Sequence, residues 1–344
     1  MPLATEVLTI RRRRFLRAGL ACAGVLFGIG GASERGLEAA APARSRVRLG
    51  YVGNACEAAT FTAPNSAIFS HNALEARLIG YRTDDELIAA LSAGAVDAAT
   101  ITLPALLQPL EAGARVRVSA ALHAGCLRVV APNAAELEAF ADLRGKTIAT
   151  DRLHGPAMNL LSALLFRQGL DPRHDVSWRV YDGPALEPAL AAKAVDCVAA
   201  ADPLGYLLIV DKAAEPYVDT SDGGFSCGGD IAHGHHCFLV LHAGLVESKP
   251  ALAASLTRAY LAGSAAIGHA AGAAAVREVQ GGYVDADMYA AIGMLSSYDW
   301  RPSTDLVLEE IALTARDFRR AGLLPRATDP YRLADRAFAD VLRA

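Results

Sequence analysis

Leu87-Ile-Ala-Ala-Leu-Ser-Ala-Gly-Ala-Val-Asp-Ala-Ala-Thr-Ile-Thr-Leu-Pro104 returns 99 residues later as Leu186-Glu-Pro-Ala-Leu-Ala-Ala-Lys-Ala-Val-Asp-Cys-Val-Ala-Ala-Ala-Asp-Pro203, with eight of eighteen positions identical. The first copy sits in a legible setting. Thr83 precedes Asp84-Asp85-Glu86 and reads as an N-cap, with Glu86 closing a capping box. Gly94 ends the helix, and Ala95 to Ile101 is apolar enough for a buried strand. Two strand signals precede it, at 47–52 and 76–81. A helix feeding a buried strand after earlier strands is the mark of βαβ units and a parallel sheet. A spacing of 99 residues is too long for a solenoid, so the repeat predicts two similar lobes, each an open α/β sheet.

Working outward, the second lobe opens with a strand over 146–151. A helix over 156–168 follows, closed by Gly169, then a strand over 178–181. The apolar runs Leu127–Ala131 and Phe238–Leu241 read as strands that cross from one lobe to the other and back. Beyond Lys249-Pro250 the chain reads as helical, broken at Gly281-Gly282 and Arg301-Pro302. The expected division is lobe I at 46–130 and 238–344, and lobe II at 131–237.

The first 43 residues read differently. Arg11 to Arg14 and Arg17 precede an apolar run from Ala18 to Gly31 that is too short and too glycine-rich to span a bilayer comfortably. A positive head before a short apolar stretch is an export signal. Arg12-Arg13 with Phe15-Leu16 resembles the twin-arginine type, with the Sec type as the alternative. Ala41-Pro42-Ala43 fits cleavage, and Cys22 lies in a poor lipobox. A soluble periplasmic protein is expected.

The chain of 344 residues has 53% hydrophobic and 20% charged residues, a globular balance. Its net charge of −4 disfavours nucleic acid as a partner. Without residues 1–43 there remain 27 basic and 34 acidic residues, a net charge of −7. Gly145-Lys146-Thr147 imitates the end of a phosphate-binding loop, but Phe140 stands where that motif needs glycine. Neither Gly-x-Ser-x-Gly nor His-Glu-x-x-His occurs.

Several segments together resemble the solute-binding proteins of ABC importers, in the nitrate/sulfonate/bicarbonate (taurine-type) family. They are Leu87–Pro104, Ala141-Asp-Leu-Arg-Gly-Lys-Thr-Ile-Ala149, Leu165–Pro172, Phe238–Pro250 and Asp335-Arg-Ala-Phe338. The resemblance covers about residues 46–344. It implies a type II periplasmic binding protein: two doubly wound lobes joined by two crossing strands, with a helical C-terminal region. It implies no enzyme activity and no required cofactor. A small anion or sulfur-containing solute would be captured by hinge closure, with an ABC permease and ATPase in the inner membrane as partners and the receptor a monomer. Ligands of such sheets sit at the C-terminal strand ends, where loop amides and helix N-termini converge. The implied contacts are Asn54 and Cys56 in loop 53–60, Thr102, His154 and Gly155 before a helix, and Asp202.

One segment is peculiar to this sequence. In Ser226-Cys-Gly-Gly-Asp-Ile-Ala-His-Gly-His-His-Cys237, the residues Cys227, His233, His235, His236 and Cys237 fall within eleven positions. Thiolate and imidazole are ligands for soft and borderline metals. Cys126 precedes the first crossing strand and Cys237 begins the second, so the two can meet at the cleft. The alternative to solute capture is therefore a receptor for a metal ion or metal complex, with Cys126, Cys227, His235, His236 and Cys237 as ligands and Cys56 facing the same cleft. A disulfide, Cys227–Cys237 or Cys126–Cys237, is the structural alternative. Cys197 aligns with Ala98 on a buried strand and reads as core; His123, His174 and His269 read as surface or satisfied residues. His235-His236-Cys237-Phe238 also resembles the cysteine-rich segment of thiamine-pyrimidine synthases, which share the fold. Those enzymes use a lysine in lobe one, and no lysine precedes Lys146 here.

Overall fold

The computed structural model describes residues 44–133, 137, 139–210, 214–220 and 234–343. The expected export signal, together with Cys227, Asp230 and His233, lies outside the described residues.

Among the described residues, ten strands form two five-stranded sheets. The first contains β1 (Ser45–Tyr51), β2 (Leu74–Gly80), β3 (Ala98–Thr102), β4 (Val116–His123) and β10 (Cys237–His242). The second contains β5 (Leu127–Ala131), β6 (Thr147–Thr150), β7 (Ser177–Val180), β8 (Cys197–Ala201) and β9 (Glu215–Asp219). Their orders are β2-β1-β3-β10-β4 and β7-β6-β8-β5-β9. The two orders are the same pattern, as the internal repeat requires. The sheets are mixed rather than parallel throughout. β10 runs antiparallel between β3 and β4, and β5 antiparallel between β8 and β9. In each sheet the reversed strand is the one that arrives from the other lobe.

This arrangement moves the expected crossings. Leu127–Ala131 lies wholly in the second sheet and Cys237–His242 wholly in the first. Neither strand is shared between lobes. The first passage is the short stretch 124–126, so 127–130 group with lobe II and Cys237 with lobe I.

The repeated Val-Asp has a physical role. Asp97 Oδ2 accepts the Arg48 amide at 2.7 Å, and its own amide donates to the Arg48 carbonyl at 2.8 Å. Asp196 does the same for Thr147, at 2.7 and 2.8 Å. In both lobes this aspartate pins the third strand to the first, just where β3 and β8 enter. Every residue of β3 and of β5 is buried, as expected of strands covered on both faces.

Thr83 Oγ1 accepts the Glu86 amide at 3.2 Å as the cap of helix Asp84–Ser92. The Glu86 carboxylate closes on the Arg82 amide instead of that of Thr83. After β10 come helices Ala243–Ser248, Pro250–His269, Ala271–Gln280, Met288–Ser297, Val307–Arg320 and Pro330–Ala337. Tyr260 of the long helix is fully buried; its hydroxyl stands 3.2 Å from Thr60 Oγ1, which lies 3.1 Å from Thr100 Oγ1.

Candidate ligand site at the junction of the two sheets

Three cysteines from separate parts of the chain meet where the lobes join. Cys56 lies in the single 3-10 turn Ala55–Glu57 that follows β1. Cys126 occupies the passage between β4 and β5, and Cys237 is the first residue of β10, paired with Thr102 of β3 and His123 of β4. Their three Sγ atoms lie within 4.8 Å of one another. Cys126 and Cys237 are 3.2 Å apart with both thiols free, so the disulfide considered for them is absent here. All three side chains are buried, at 5%, 1% and 0% exposure.

The cluster is electrostatically uneven. Hydrogen bonds from Cys237 and Cys56 bring the Cys126 thiol down to about 6 against the opposing effect of burial. The Cys56 thiol is raised by its bond to Cys126, and Cys237 is raised chiefly by burial. The three groups therefore titrate as one linked set rather than singly. Cys197, alone in the core of β8, is pushed up to about 12 by burial and belongs to the packing.

The surroundings fix the three sulfurs. His123 is buried, stacked on Tyr298 at 4.9 Å between ring centroids and packed on Trp300 at 4.3 Å. Its Nε2 donates to the Cys56 carbonyl at 2.9 Å. Glu57 is wrapped by its own loop: its carboxylate accepts the amides of Val52, Gly53 and Asn54 at 2.8–3.1 Å. Burial raises this carboxyl, and the three amides oppose the rise.

On the other lobe, Arg128 is 2% exposed. Its Nε donates to both Asp202 oxygens at 3.0 and 3.1 Å, its Nη1 binds Asp219, and its Nη2 donates to Ser297 Oγ at 3.0 Å. Tyr298 donates to Asp202 Oδ2 at 2.9 Å. Burial lifts Asp202 to about 6 against the pull of Arg128. The Asp202 amide donates to the Cys126 carbonyl at 3.0 Å, so this ion-pair network abuts the thiols. The bond from Asp202 to Pro203 is cis.

The expected anion contacts fare differently. The Asn54 amide belongs to Glu57. Gly155 donates to the Arg152 carbonyl, and the His154 amide to Met158 Sδ. His154 is exposed and lines an outer groove of about 520 Å³ with Asp85, Gln108 and Arg152. These amides are satisfied within the chain and do not await an anion. Thr102 is buried opposite Cys237, its hydroxyl without a hydrogen-bond partner.

Of the expected metal ligands, the structure brings Cys126 and Cys237 together and adds Cys56 as the third. His235 is diverted. Its Nδ1 lies 2.8 Å from Glu310 Oε1 and its Nε2 2.7 Å from the Arg301 carbonyl. With an acceptor at each ring nitrogen, its lone pair is lost to ligation. His236 is buried, its amide donating to the His123 carbonyl and its carbonyl accepting from Leu103.

Sequence reasoning missed Arg128, Glu57, His123 and Tyr298. A single charge inside Leu127-Arg-Val-Val-Ala131 marks a buried strand whose arginine must be paired. Asn54-Ala-Cys-Glu57 carries the spacing of a self-satisfied helix start. His123, which reads from sequence as a surface or satisfied residue, is satisfied by two backbone carbonyls and lies against the thiols' loop.

The chain matches the NMT1-like family over residues 40–280. Among solved structures it resembles the nitrate-binding protein NrtA of Synechocystis PCC 6803, with 13% identity and a TM-score of 0.69 over 88% of each chain. It also resembles the alkanesulfonate-binding protein SsuA of Xanthomonas axonopodis pv. citri, solved with MOPS: 20% identity, TM-score 0.64, 86% of this chain and 99% of that one. A zinc-bound ligand-binding component of an ABC-type import system from Staphylococcus aureus gives 12% identity, TM-score 0.68, 87% of this chain and 98% of that one. No curated protein sequence matches the chain.

Proposed function

Because this chain belongs to the NMT1-like family, with the type II fold of periplasmic binding proteins, we propose that it is the receptor of an ABC importer and not an enzyme. In this reading it is exported to the periplasm, captures a small anionic or sulfur-containing solute as its lobes close, and delivers it to a membrane permease driven by an ATPase. One observation carries the reading: polar side chains of each lobe hold the other across the junction. Asn159 Nδ2 donates to the Pro104 carbonyl at 3.1 Å, Arg152 to Asp84 at 2.7 Å, and Tyr298 to Asp202 at 2.9 Å. Polar contacts of this kind suit a clasp that opens and shuts.

Within that solute class, the geometry lends more support to sulfur recognition than to anion binding. The loop amides that would hold an anion are engaged within the chain, and Arg128 is already paired with two carboxylates. The three thiols are the distinctive chemistry at this junction, which favours a solute recognised through sulfur.

The test is a thermal-shift and calorimetric screen of nitrate, sulfonates, thiols and thiophilic ions against the reduced protein, with small-angle scattering at saturation. Binding should raise Tm by linkage and compact the protein relative to its unliganded state. A solute that binds tightly with unchanged scattering, or catalytic turnover of a bound solute, would overturn the reading.

A further inference from the structure

We propose that Cys56, Cys126 and Cys237 form a three-thiolate site for a trivalent metalloid centre, arsenic(III) or antimony(III), taken up as its neutral hydroxide. This names the solute class of the site already described and rests on that reading for its way in, because the thiols are buried while the lobes are together.

The first argument is ligand type and number. Three sulfurs within 4.8 Å can close on one atom. A pyramidal centre about 2.3 Å from each thiolate holds the sulfurs about 3.5 Å apart, so small side-chain rotations suffice. Among the described residues no further His, Cys, Asp or Glu joins the group. Zinc in a closed site takes four ligands. A trivalent metalloid with its lone pair is complete with three.

The second argument is charge. The site is buried, and buried net charge is costly unless paired. Three thiolates around a monovalent soft ion carry −2, and around a divalent ion −1. Glu278 is buried without a hydrogen-bond partner and adds no cation to offset such a charge. Arg128 is engaged by Asp202 and Asp219. A trivalent centre leaves the site neutral. In the exchange As(OH)3 + 3 RSH → As(SR)3 + 3 H2O, three S–H and three As–O bonds break, and three As–S and three O–H bonds form. The thiol protons leave on the hydroxides as water, and nothing is oxidised or reduced.

The experiment uses the exported, reduced protein and inorganic arsenite alone, with zinc(II) and copper(I) as comparison ions. One arsenite per chain should bind with the loss of three titratable thiols and the appearance of sulfur-to-arsenic absorption in the near ultraviolet. Cys56→Ser, Cys126→Ser and Cys237→Ser should each weaken arsenite binding at least a hundredfold, while Cys197→Ser leaves it within twofold. Circular dichroism checks that each variant is folded. Arsenite is added both to native protein and during refolding from denaturant. Loading by both routes supports the site and the opening of the lobes. Loading only on refolding supports the site and removes the hinge motion. Failure by both routes overturns the site whatever other solute the protein binds. Protection of two thiols per arsenic, indifference to Cys56→Ser, or tighter binding of zinc(II) or copper(I) than arsenite would also overturn it.

Discussion

Arg152 Nη2 of the second lobe donates to Asp84 Oδ2 of the first at 2.7 Å, and both side chains are largely shielded, at 29% and 14% exposure. Asp84 begins a helix, where a carboxylate already favours the N-terminal end of the dipole. Arg152 lies in the loop between β6 and helix Pro156–Arg167. The pair therefore joins the two lobes at a distance from the thiols.

Removing this clasp should favour separation of the lobes. An ion pair that keeps some contact with water contributes about 1 kcal/mol or less, so Arg152→Ala should weaken solute affinity up to about fivefold and raise the radius of gyration of the unliganded protein. The charge swap Asp84→Arg with Arg152→Asp should restore part of both. Scattering and affinity unchanged in all three proteins would reduce the pair to an incidental contact.

The repeated aspartates make a graded stability prediction. Asp97 accepts the Arg48 amide and also both Nε and Nη2 of its guanidinium, at 3.1 and 2.7 Å, with a side chain 16% exposed. Asp196 accepts the Thr147 amide, is 44% exposed, and has Lys146 at 3.7 Å. Charged hydrogen bonds contribute about 1.5–3 kcal/mol and ordinary ones about 1 kcal/mol. In urea unfolding, Asp97→Ala should lose about twice the stability of Asp196→Ala. Equal losses would mean that the guanidinium pairing contributes nothing.

What could be read from the chain divides along physical lines. Periodicity and the Leu87–Pro104 repeat carry local structure and its duplication, so both lobes and their strand ends were legible to within a few residues. The reversal of β5 and β10 was not. An apolar run such as Leu127–Ala131 has the same pattern whether its neighbours run with it or against it. Cys126 and Cys237 were legible as partners because each borders a passage between lobes. Cys56 as the third member depends on a 3-10 turn folding over His123, a contact across 67 positions of sequence. At the Asn54 loop, Glu57 supplies the negative charge that a ligand was expected to bring, which a reading of residue types alone does not reveal.

His235 gives the protein a pH-dependent fastener. Burial lowers its imidazolium, but the Glu310 carboxylate and the Arg301 carbonyl more than offset that, leaving it above the ordinary value of 6.5. A histidine raised in the folded state adds stability that is complete below its unfolded value and fades as pH rises through its folded value. Wild type should thus lose stability relative to His235→Gln on going from pH 6 to pH 8. Parallel stability curves for the two proteins across that range would show that His235 is neutral in the fold.

Arg128 is the residue whose loss should be least tolerated. It lies on β5 among apolar neighbours and holds Asp202, Asp219 and Ser297 at once. Asp202 in turn takes the Tyr298 hydroxyl, and Ser297 and Tyr298 come from the first lobe. Truncation to methionine keeps the volume but strands two carboxylates in a dry site. Breaking a buried ion pair from one side costs about 3–5 kcal/mol. Arg128→Met should therefore lower the unfolding midpoint sharply, and adding Asp202→Asn should recover part of the loss, because a neutral amide tolerates burial better. Arg128→Lys should rescue poorly: an ammonium is a point charge and cannot span three partners with the geometry of a guanidinium. Asp202, which Arg128 holds, also donates its amide to the Cys126 carbonyl. The double variant should accordingly regain stability without regaining full thiol reactivity at Cys126. If Arg128→Lys is as stable as wild type, or if Asp202→Asn gives no recovery, the network is a set of separate contacts and the coupling between ion pair and thiols fails with it.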